Sequence, residues 1–123
     1  MFKLTGQVVK GLGEGRRLGY PTANLALPDS AIRPPAGVYA CWVDYVGGSH
    51  QPGLLVSGVY LETNQQPRCE VYLLDWQGDL YGQVLRVEVV TKLREVVKTT
   101  NPAQLIDLIK QDIVQGRLVL GLN

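Results

Sequence analysis

Short runs of alternating or β-branched residues, bounded by Gly, Pro, Asn or Asp, fill most of the sequence before residue 94. Runs of this length and pattern are typical of β-strands. No strand–helix–strand rhythm connects them, so neither a parallel sheet nor a dinucleotide-binding fold is expected. The sequence therefore predicts an all-β domain, with strands at residues 4–9, 37–45, 53–60, 68–75 and 80–93.

The run 37–45 carries apolar side chains on both of its faces. Successive side chains of a strand point to opposite sides of the sheet. Because both sides of this run are apolar, it predicts a closed barrel with another element packed outside. The two sets of side chains are Val38, Ala40 and Trp42, and Tyr39, Cys41 and Val43.

Two turn sequences predict the direction of neighbouring strands. Val-Gly-Gly-Ser at 46–49 separates two of the predicted strands, and Trp-Gln-Gly-Asp at 76–79 separates two more. Short Gly-containing turns of this kind join the strands of antiparallel hairpins. We therefore expect an antiparallel pair at each place.

One helix is predicted after the strands. Asn101 is a suitable N-cap, Pro102 follows at the first helical position, and Gln104 stands three residues after the cap. Gly116 is the expected stop, and residues 117–123 form either a last strand or a docked tail. An apolar stripe predicts that this helix packs on the barrel without a chemical role. The stripe consists of Leu105, Ile106, Ile109 and Ile113, and the outward residues are Asp107, Lys110 and Gln111.

Composition narrows the functional classes. A chain of 123 residues with 46% hydrophobic and 19% charged residues is expected to form one domain over 1–123. A net charge of +1 with scattered basic residues does not favour nucleic acid as a partner. Neither a membrane span nor a signal peptide is evident, so we expect a cytoplasmic protein, monomeric by default. Cys41 and Cys69 are expected to be buried free thiols.

The densest cluster of special residues is the glycine-rich segment 11–19. Glycines let the backbone approach a ligand and turn its N–H groups toward an anion, and arginine adds positive charge. The segment is therefore either a phosphate-binding loop or an ordinary surface loop, and it is not a Walker A sequence. Its relevant residues are Gly11, Gly13, Gly15, Arg16 and Gly19.

Three polar residues elsewhere are candidates for chemistry. Thr22 and Asn24 are two apart, so an extended backbone projects both to one side, where their oxygens could ligate Mg²⁺. The alternative is a polar turn after Pro21. Glu70 and Tyr72 are two residues apart in a predicted strand, so their side chains share one face. Glu70 is therefore either a general base or a solvated outer residue.

In this order, the motifs resemble the riboflavin kinase family, including the kinase module of bifunctional FAD synthetases. The resemblance rests on Pro-Thr-Ala-Asn at 21–24, Glu-Val-Tyr-Leu-Leu-Asp at 70–75 and Asp-Leu-Tyr-Gly at 79–82. It implies a six-stranded antiparallel β-barrel with a C-terminal helix packed outside. It also implies an ATP- and Mg²⁺-dependent kinase that phosphorylates the ribityl hydroxyl of riboflavin to form FMN, with riboflavin/FMN and ATP/ADP as its ligands.

The resemblance also implies roles for individual residues. Thr22 corresponds to the metal-binding threonine of the family, Asn24 lies beside the metal and phosphates, and Glu70 corresponds to the catalytic glutamate. The glycine-rich segment corresponds to a flap over the nucleotide, and the stretch from Arg94 to Thr100 to a loop that helps close the flavin site. The implied nucleotide-binding residues are Gly11, Gly13, Gly15, Arg16, Gly19, Pro21 and Thr22, and the implied flavin-binding residues are Arg94, Val97 and Thr99.

The sequence departs from the family pattern in two places. An Asn-Ile-Gly and Pro-Thr element usual in the family is reduced to Gly58 within residues 56–63, and an aromatic common before the helix is replaced by Thr99 or a neighbour. These departures leave a second interpretation open, a non-catalytic barrel that binds a flavin or nucleotide. A third, an unrelated barrel that binds nucleic acid or protein, is disfavoured by the near-zero net charge. An adenylyltransferase half is lacking, so FAD synthesis is not expected.

Overall fold

A closed antiparallel barrel with one helix outside it is formed by the residues that the computed structural model describes, 2–9, 22–28, 32–59, 68–97, 99 and 101–122. Its order around the barrel is β1-β2-β5-β4-β3-β6, and β6 closes on β1. This confirms the expected fold class. The strands are β1 (Phe2–Val9), β2 (Ala23–Ala26), β3 (Gly37–Tyr45), β4 (Gly48–Val59), β5 (Arg68–Leu73) and β6 (Val84–Arg94), and the helix is α1 (Pro102–Val119).

Alternation sorts the side chains of each strand between the barrel interior and its outer face. In β3, Tyr39 and Cys41 belong to the interior core, whereas Val38 and Ala40 point outward and are nevertheless buried. The helix α1 packs against β3, β4 and β6, which explains the outer burial. The prediction of a strand apolar on both faces is confirmed. The buried interior consists of Leu4, Val8, Leu25, Tyr39, Cys41, Val43, Leu55, Cys69, Val71, Leu73, Leu80, Leu85, Val87 and Val89.

The short strand β2 is not among the strands that the sequence predicts. It has four residues, too few for an alternation pattern to stand out, and it pairs with both β1 and β5. Because β1 and β5 have no direct pairing with each other in the described barrel, β2 is the element that joins them. The outward side chains of β2 therefore lie between those of β1 and β5.

Of the two predicted hairpins, one is confirmed and one is wrong. β3 and β4 are antiparallel neighbours across the turn at 46–47. β5 and β6 are not neighbours in the barrel, although the turn sequence 76–79 lies between them. The connection instead crosses the barrel end, where Leu80 enters the core and Gly82 N–H donates to the Val8 carbonyl at 2.9 Å. The burial of Leu80 in the core is thus incompatible with the hairpin that the turn sequence predicts.

Helix α1 begins as predicted and ends later. The Asn101 carboxamide oxygen accepts from the N–H groups of Ala103 and Gln104 at 3.0 and 3.2 Å. The predicted stop at Gly116 is wrong, because the helix continues to Val119 and residues 117–119 are helical rather than strand. Gly121, with φ 76°, is the left-handed residue that follows the helix.

Within the described residues, no helix has the length and apolar character of a membrane span.

Gly116 has a packing role instead. A Cβ at this position would lie 2.7 Å from Leu54 Cδ2, so any side chain here would displace Leu54 or push the helix away from β4. Asp112, one turn earlier, is also buried, and the expected apolar stripe is only half-buried. The buried residues of α1 are therefore a glycine and an acid, whereas the isoleucines are half-buried.

The two cysteines are buried free thiols, as predicted. Burial raises the pKa of Cys41 and of Cys69; for Cys69 a hydrogen bond to Ser57 partly offsets this effect. The thiolate form is therefore disfavoured in the folded protein.

We expect a chromogenic disulfide reagent at pH 7 to detect no fast-reacting thiol in the native protein and both thiols after denaturation. Above the ordinary thiol pKa of about 8.5, the unfolded chain loses protons that the folded chain keeps, so stability falls as pH rises, by up to about 1.4 kcal/mol per pH unit for each thiol. Cys41→Ala should reduce this slope. A fast thiol in the native protein at pH 7 would contradict the burial.

Candidate functional site

The pairing of β2 with β5 places two of the predicted site residues side by side. Asn24 and Glu70 are direct cross-strand partners, flanked by the pairs Ala23–Val71 and Leu25–Cys69. Leu25 and Cys69 lie in the interior core, so the residues next to them in the alternation, Asn24 and Glu70, face outward. Direct partners have Cβ atoms about 4.5–5.5 Å apart. The amide and the carboxylate therefore share one patch of the barrel surface.

Asn24 is a polar residue on the outer face of the barrel, yet it is only 8% exposed. Its carboxamide oxygen Oδ1 is buried and has no hydrogen-bond partner among the described residues. A buried acceptor without a donor is costly, by about 1–3 kcal/mol. Such an atom is suited to accept a ligand that arrives from outside the chain, either a hydrogen-bond donor or a hard cation.

The donor chemistry around Asn24 fits Mg²⁺ better than a softer metal. Thr22, half-buried, stands immediately before β2 and two residues before Asn24. Hydroxyl and amide oxygens are ligands of a hard cation that keeps several of its waters. Among the described residues, no group of three or more His, Cys, Asp or Glu side chains forms a metal site. A cation held here would thus depend on few protein oxygens, supplemented by those of a phosphate ligand.

A single cross-strand row connects this patch with the far side of the site. Asn24 is paired with Glu70, Glu70 with Val56, Val56 with Val38, and Val38 with Arg94. The row therefore takes one residue from each of β2, β5, β4, β3 and β6. Neighbouring strands lie about 4.8 Å apart, so Arg94 is about 14 Å from Glu70 along the sheet. Residues far apart in sequence are thus joined in one row across the sheet.

The segment that departs from the family pattern borders this row. Val56 is the β4 neighbour of Glu70, and Ser57 faces inward, where its hydroxyl donates to the Pro34 carbonyl at 2.9 Å. Gly58 lies at a register shift of β4 with φ 90°. A Cβ on Gly58 would lie 2.6 Å from the Ala36 Cβ. The retained glycine is therefore required by the backbone and its close contact.

The three predicted flavin-binding residues lie at or after the end of β6. The Arg94 guanidinium makes a bidentate ion pair with Asp112 of α1, and Val97 is an exposed apolar residue. The Thr99 hydroxyl donates to Gln104 Oε1 at 2.7 Å and accepts from the Asn101 N–H at 3.1 Å. Two of the three side chains thus have structural partners in or beside α1, and flavin contact remains a prediction for all three.

The predicted phosphate loop lies outside the described residues. This applies to Gly11, Gly13, Gly15, Arg16, Gly19 and Pro21.

Asp112 is the residue that sequence reasoning missed. The apolar stripe predicts a helix without chemistry, yet Asp112 is 5% exposed and holds Arg94. A signal is present, because Leu105, Asp112 and Gly116 share one helix face at spacings of seven and four. An acid on the face that packs inward predicts a buried cationic partner, and Arg94 is a basic residue that precedes the helix.

The sequence matches the flavokinase family model, described as riboflavin kinase, over residues 1–120. It is 34% identical over 115 residues to the bifunctional riboflavin kinase/FMN adenylyltransferase of Bacillus subtilis, covering 90% of this chain and 36% of the relative. The corresponding protein of Pseudomonas fluorescens is 36% identical over 118 residues, with 94% and 37% covered. The chain thus spans little more than a third of these relatives.

Two solved structures share the fold. A riboflavin kinase from Trypanosoma brucei superposes with a TM-score of 0.71 and 25% identity, covering 97% of this chain and 79% of that one. A structure described as a macrolide-efflux protein from Streptococcus pneumoniae gives a TM-score of 0.85 and 32% identity, covering 94% of this chain and 38% of that one. The barrel with its outer helix is therefore common to a riboflavin kinase and to part of a larger protein.

Proposed function

The chain belongs to the riboflavin kinase family, and from this we propose that it transfers the terminal phosphate of ATP to the ribityl 5′-hydroxyl of riboflavin, giving FMN and ADP. The observation that carries the proposal is the direct pairing of Asn24 with Glu70 on the outer face of the barrel. It puts a carboxylate that can accept a proton beside an amide oxygen that lacks a partner among the described residues.

Glu70 acts as the general base in this proposal. Phosphoryl transfer depends mainly on positioning and on neutralisation of charge, and the attacking hydroxyl needs an acceptor for its proton. The carboxylate of Glu70 takes that proton as the oxygen–phosphorus bond forms and the bond to the ADP oxygen breaks. Its place on β5, between β2 and β4 in the barrel, gives it a fixed backbone position.

Thr22 and Asn24 would hold the Mg²⁺ that accompanies the nucleotide. Such an ion, when bound, neutralises charge on the phosphates. Asn24 Oδ1 is buried, and the backbone of Asn24 is paired on both sides, so this oxygen would reach the ion from a fixed backbone position. The residues Gly11, Gly13, Gly15, Arg16, Gly19 and Pro21 are proposed to cover the nucleotide phosphates, as in the family.

The cross-strand row suggests how the acceptor lies. Its hydroxyl end must reach Glu70, while Arg94 stands about three strand spacings away at the start of the connection to α1. A riboflavin that lies along the row therefore has its ribityl end at Glu70 and its ring system toward residues 94–97. Val97 is an exposed apolar side chain available there.

The proposal is tested by incubating the pure protein with riboflavin, ATP and Mg²⁺ and separating FMN by chromatography, with controls that omit the metal or the nucleotide. Metal-dependent FMN is the expected result. The absence of FMN together with saturable quenching of riboflavin fluorescence would replace the kinase with a non-catalytic flavin-binding module. The absence of both would overturn the assignment of riboflavin as ligand.

A substitution of Thr22 tests the metal site. Thr22→Val keeps the side-chain shape and removes the hydroxyl, so the Mg²⁺ concentration for half-maximal FMN formation should rise by at least about tenfold. The matched control is Thr5→Val, since Thr5 is exposed on β1 and pairs with β6 rather than with β2. A Mg²⁺ titration unchanged by Thr22→Val would give Thr22 a structural role instead.

A further inference from the structure

Arg94 joins three parts of the molecule through one guanidinium group. It is the last residue of β6, and its Nε and Nη2 contact the two carboxylate oxygens of Asp112 on α1 at 2.6 and 2.7 Å. Its Nη1 donates at 3.0 Å to the carbonyl of Glu95, which is the first residue of the β6–α1 connection. A single planar group therefore fixes a strand end, a helix and the start of the segment between them.

The ion pair lies in a sheltered position. The side-chain exposures are 24% for Arg94 and 7% for Asp112. Gly116, one turn after Asp112, lies against Leu54, so α1 is pressed on the barrel where the pair forms. Buried pairs of this kind often stabilise a fold no more than apolar side chains of similar size. A bidentate pair does, however, define an orientation, because two parallel hydrogen bonds restrict rotation and translation together.

Thr99, near the other end of the connection, is also held by hydrogen bonds. The Thr99 hydroxyl accepts from the Asn101 N–H and donates to Gln104 Oε1, and Asn101 caps α1. Any shift of α1 along the barrel would therefore displace both ends of the connection. The position of α1 depends in turn on the pairing of Asp112 with Arg94.

We propose that the Arg94–Asp112 pair is a positioning device that sets the β6–α1 connection for riboflavin. For Arg94, this indirect role replaces the predicted direct contact with the flavin. This inference rests on the proposed kinase function. In the cross-strand row, Arg94 is at the end remote from Asn24, so the pair governs the flavin side of the site and not the metal side. Its loss should weaken riboflavin binding and leave nucleotide binding unaffected.

The test compares an apolar replacement of the whole pair with the wild type. Arg94→Met combined with Asp112→Leu removes both charges, so it should keep a melting temperature near that of the wild type. In this double variant we expect the KM for riboflavin to rise about ten- to hundredfold, with the KM for ATP and the kcat at saturating riboflavin changed less than about twofold. Arg94→Lys keeps the positive charge and loses the bidentate pairing of the guanidinium. It should raise the KM for riboflavin by less than the double substitution does.

A second ion pair between α1 and the barrel supplies the control. Arg117 of α1 contacts Asp75, which follows β5, and Asp75 is largely exposed. Asp75→Asn should leave both KM values unchanged. An unchanged riboflavin KM in a folded double variant would overturn the positioning role, and so would equal changes in both KM values and kcat that track a fall in melting temperature.

The failure of this inference can be told apart from a failure of the kinase function. A wild type that makes FMN with a riboflavin KM unaffected by the double substitution overturns only the positioning role. A wild type that makes no FMN but quenches riboflavin fluorescence overturns the kinase, and the same variants are then compared by the Kd for riboflavin, with the same rise expected. A wild type that does neither overturns both.

Discussion

Glu70→Gln is expected to lower the kcat for FMN formation by about 10²- to 10⁴-fold, the usual range for loss of a general base. Gln has the size and hydrogen-bonding reach of Glu but cannot accept the proton of the ribityl hydroxyl. The KM for ATP should change little, because the phosphates and metal are assigned to β2 and to the glycine-rich segment. Steady-state kinetics with an FMN readout measure both values.

The control for this substitution is Glu88→Gln. Glu88 is a partly exposed carboxylate on the β6 strand, where it forms a long ion pair of 3.8 Å with Lys3. It is not in the cross-strand row, and its removal should leave kcat unchanged. A Glu70→Gln variant that turns over at a near-normal rate would remove Glu70 from the mechanism and leave the carboxylate a binding role at most.

Gly58→Ala is expected to reduce the free energy of unfolding by about 3–5 kcal/mol. Two effects add: the positive φ of 90°, which an L-residue adopts at a cost of about 1–3 kcal/mol, and the clash of the new Cβ with Ala36. The clash cannot be relieved by a side-chain rotation, because it involves the Cβ and the Cα of Ala36, at 2.6 and 3.0 Å. Denaturant unfolding of the purified variant measures the loss.

Gly82→Ala separates the two effects. Gly82 has a similar φ of 82°, but a Cβ there would have no atom within 4 Å. Its replacement should therefore cost only the conformational term, about 1–2 kcal/mol. If both substitutions reduce stability equally, then the contact with Ala36 contributes nothing, and Gly58 is present for its backbone conformation alone.

The parts of the fold that depend on local pattern are predictable from the sequence. Alternation is sufficient to separate the two faces of β3 and β5, and it puts Glu70 on the face opposite Cys69. The cap at Asn101 is equally local. Alternation does not determine the order of strands around the barrel. The turn at 76–79 resembles a hairpin, but β5 and β6 are not neighbours in the barrel, and Leu80 is buried in the core between them.

The role of a glycine is the least predictable feature. A glycine near the end of an amphipathic helix indicates a stop, but Gly116 is helical and its missing side chain admits Leu54. The residue that does have a left-handed conformation is Gly121, five positions later. A glycine that ends a helix and a glycine that admits a neighbouring side chain look alike in the sequence. Tertiary packing decides between them, because Gly116 faces Leu54 and Gly121 has no such neighbour. The burial of Asp112 escapes prediction for the same reason, since its partner Arg94 is on another element.

Spacing and resemblance identify the individual site residues. They do not predict how these residues are arranged in space. Thr22, Asn24 and Glu70 are selected individually, whereas the cross-strand pairing of Asn24 with Glu70 requires β2 to be a strand. The row that extends from Asn24 to Arg94 depends on the registers of four strand pairs, which no short-range pattern specifies.

The closure of the barrel by β1 and β6 has a consequence for how the protein is made. Phe2 pairs with Val89 and Leu4 with Val87. The first strand of the barrel to be synthesised, β1, therefore gains its β6 partner only when the last strand has been made. Until β6 emerges from the ribosome, β1 and β3 each present a row of unsatisfied N–H and C=O groups to other chains. Closure over so long a stretch of chain is slow compared with local hairpin formation. The nascent chain is therefore most vulnerable to misassociation just before β6 is synthesised.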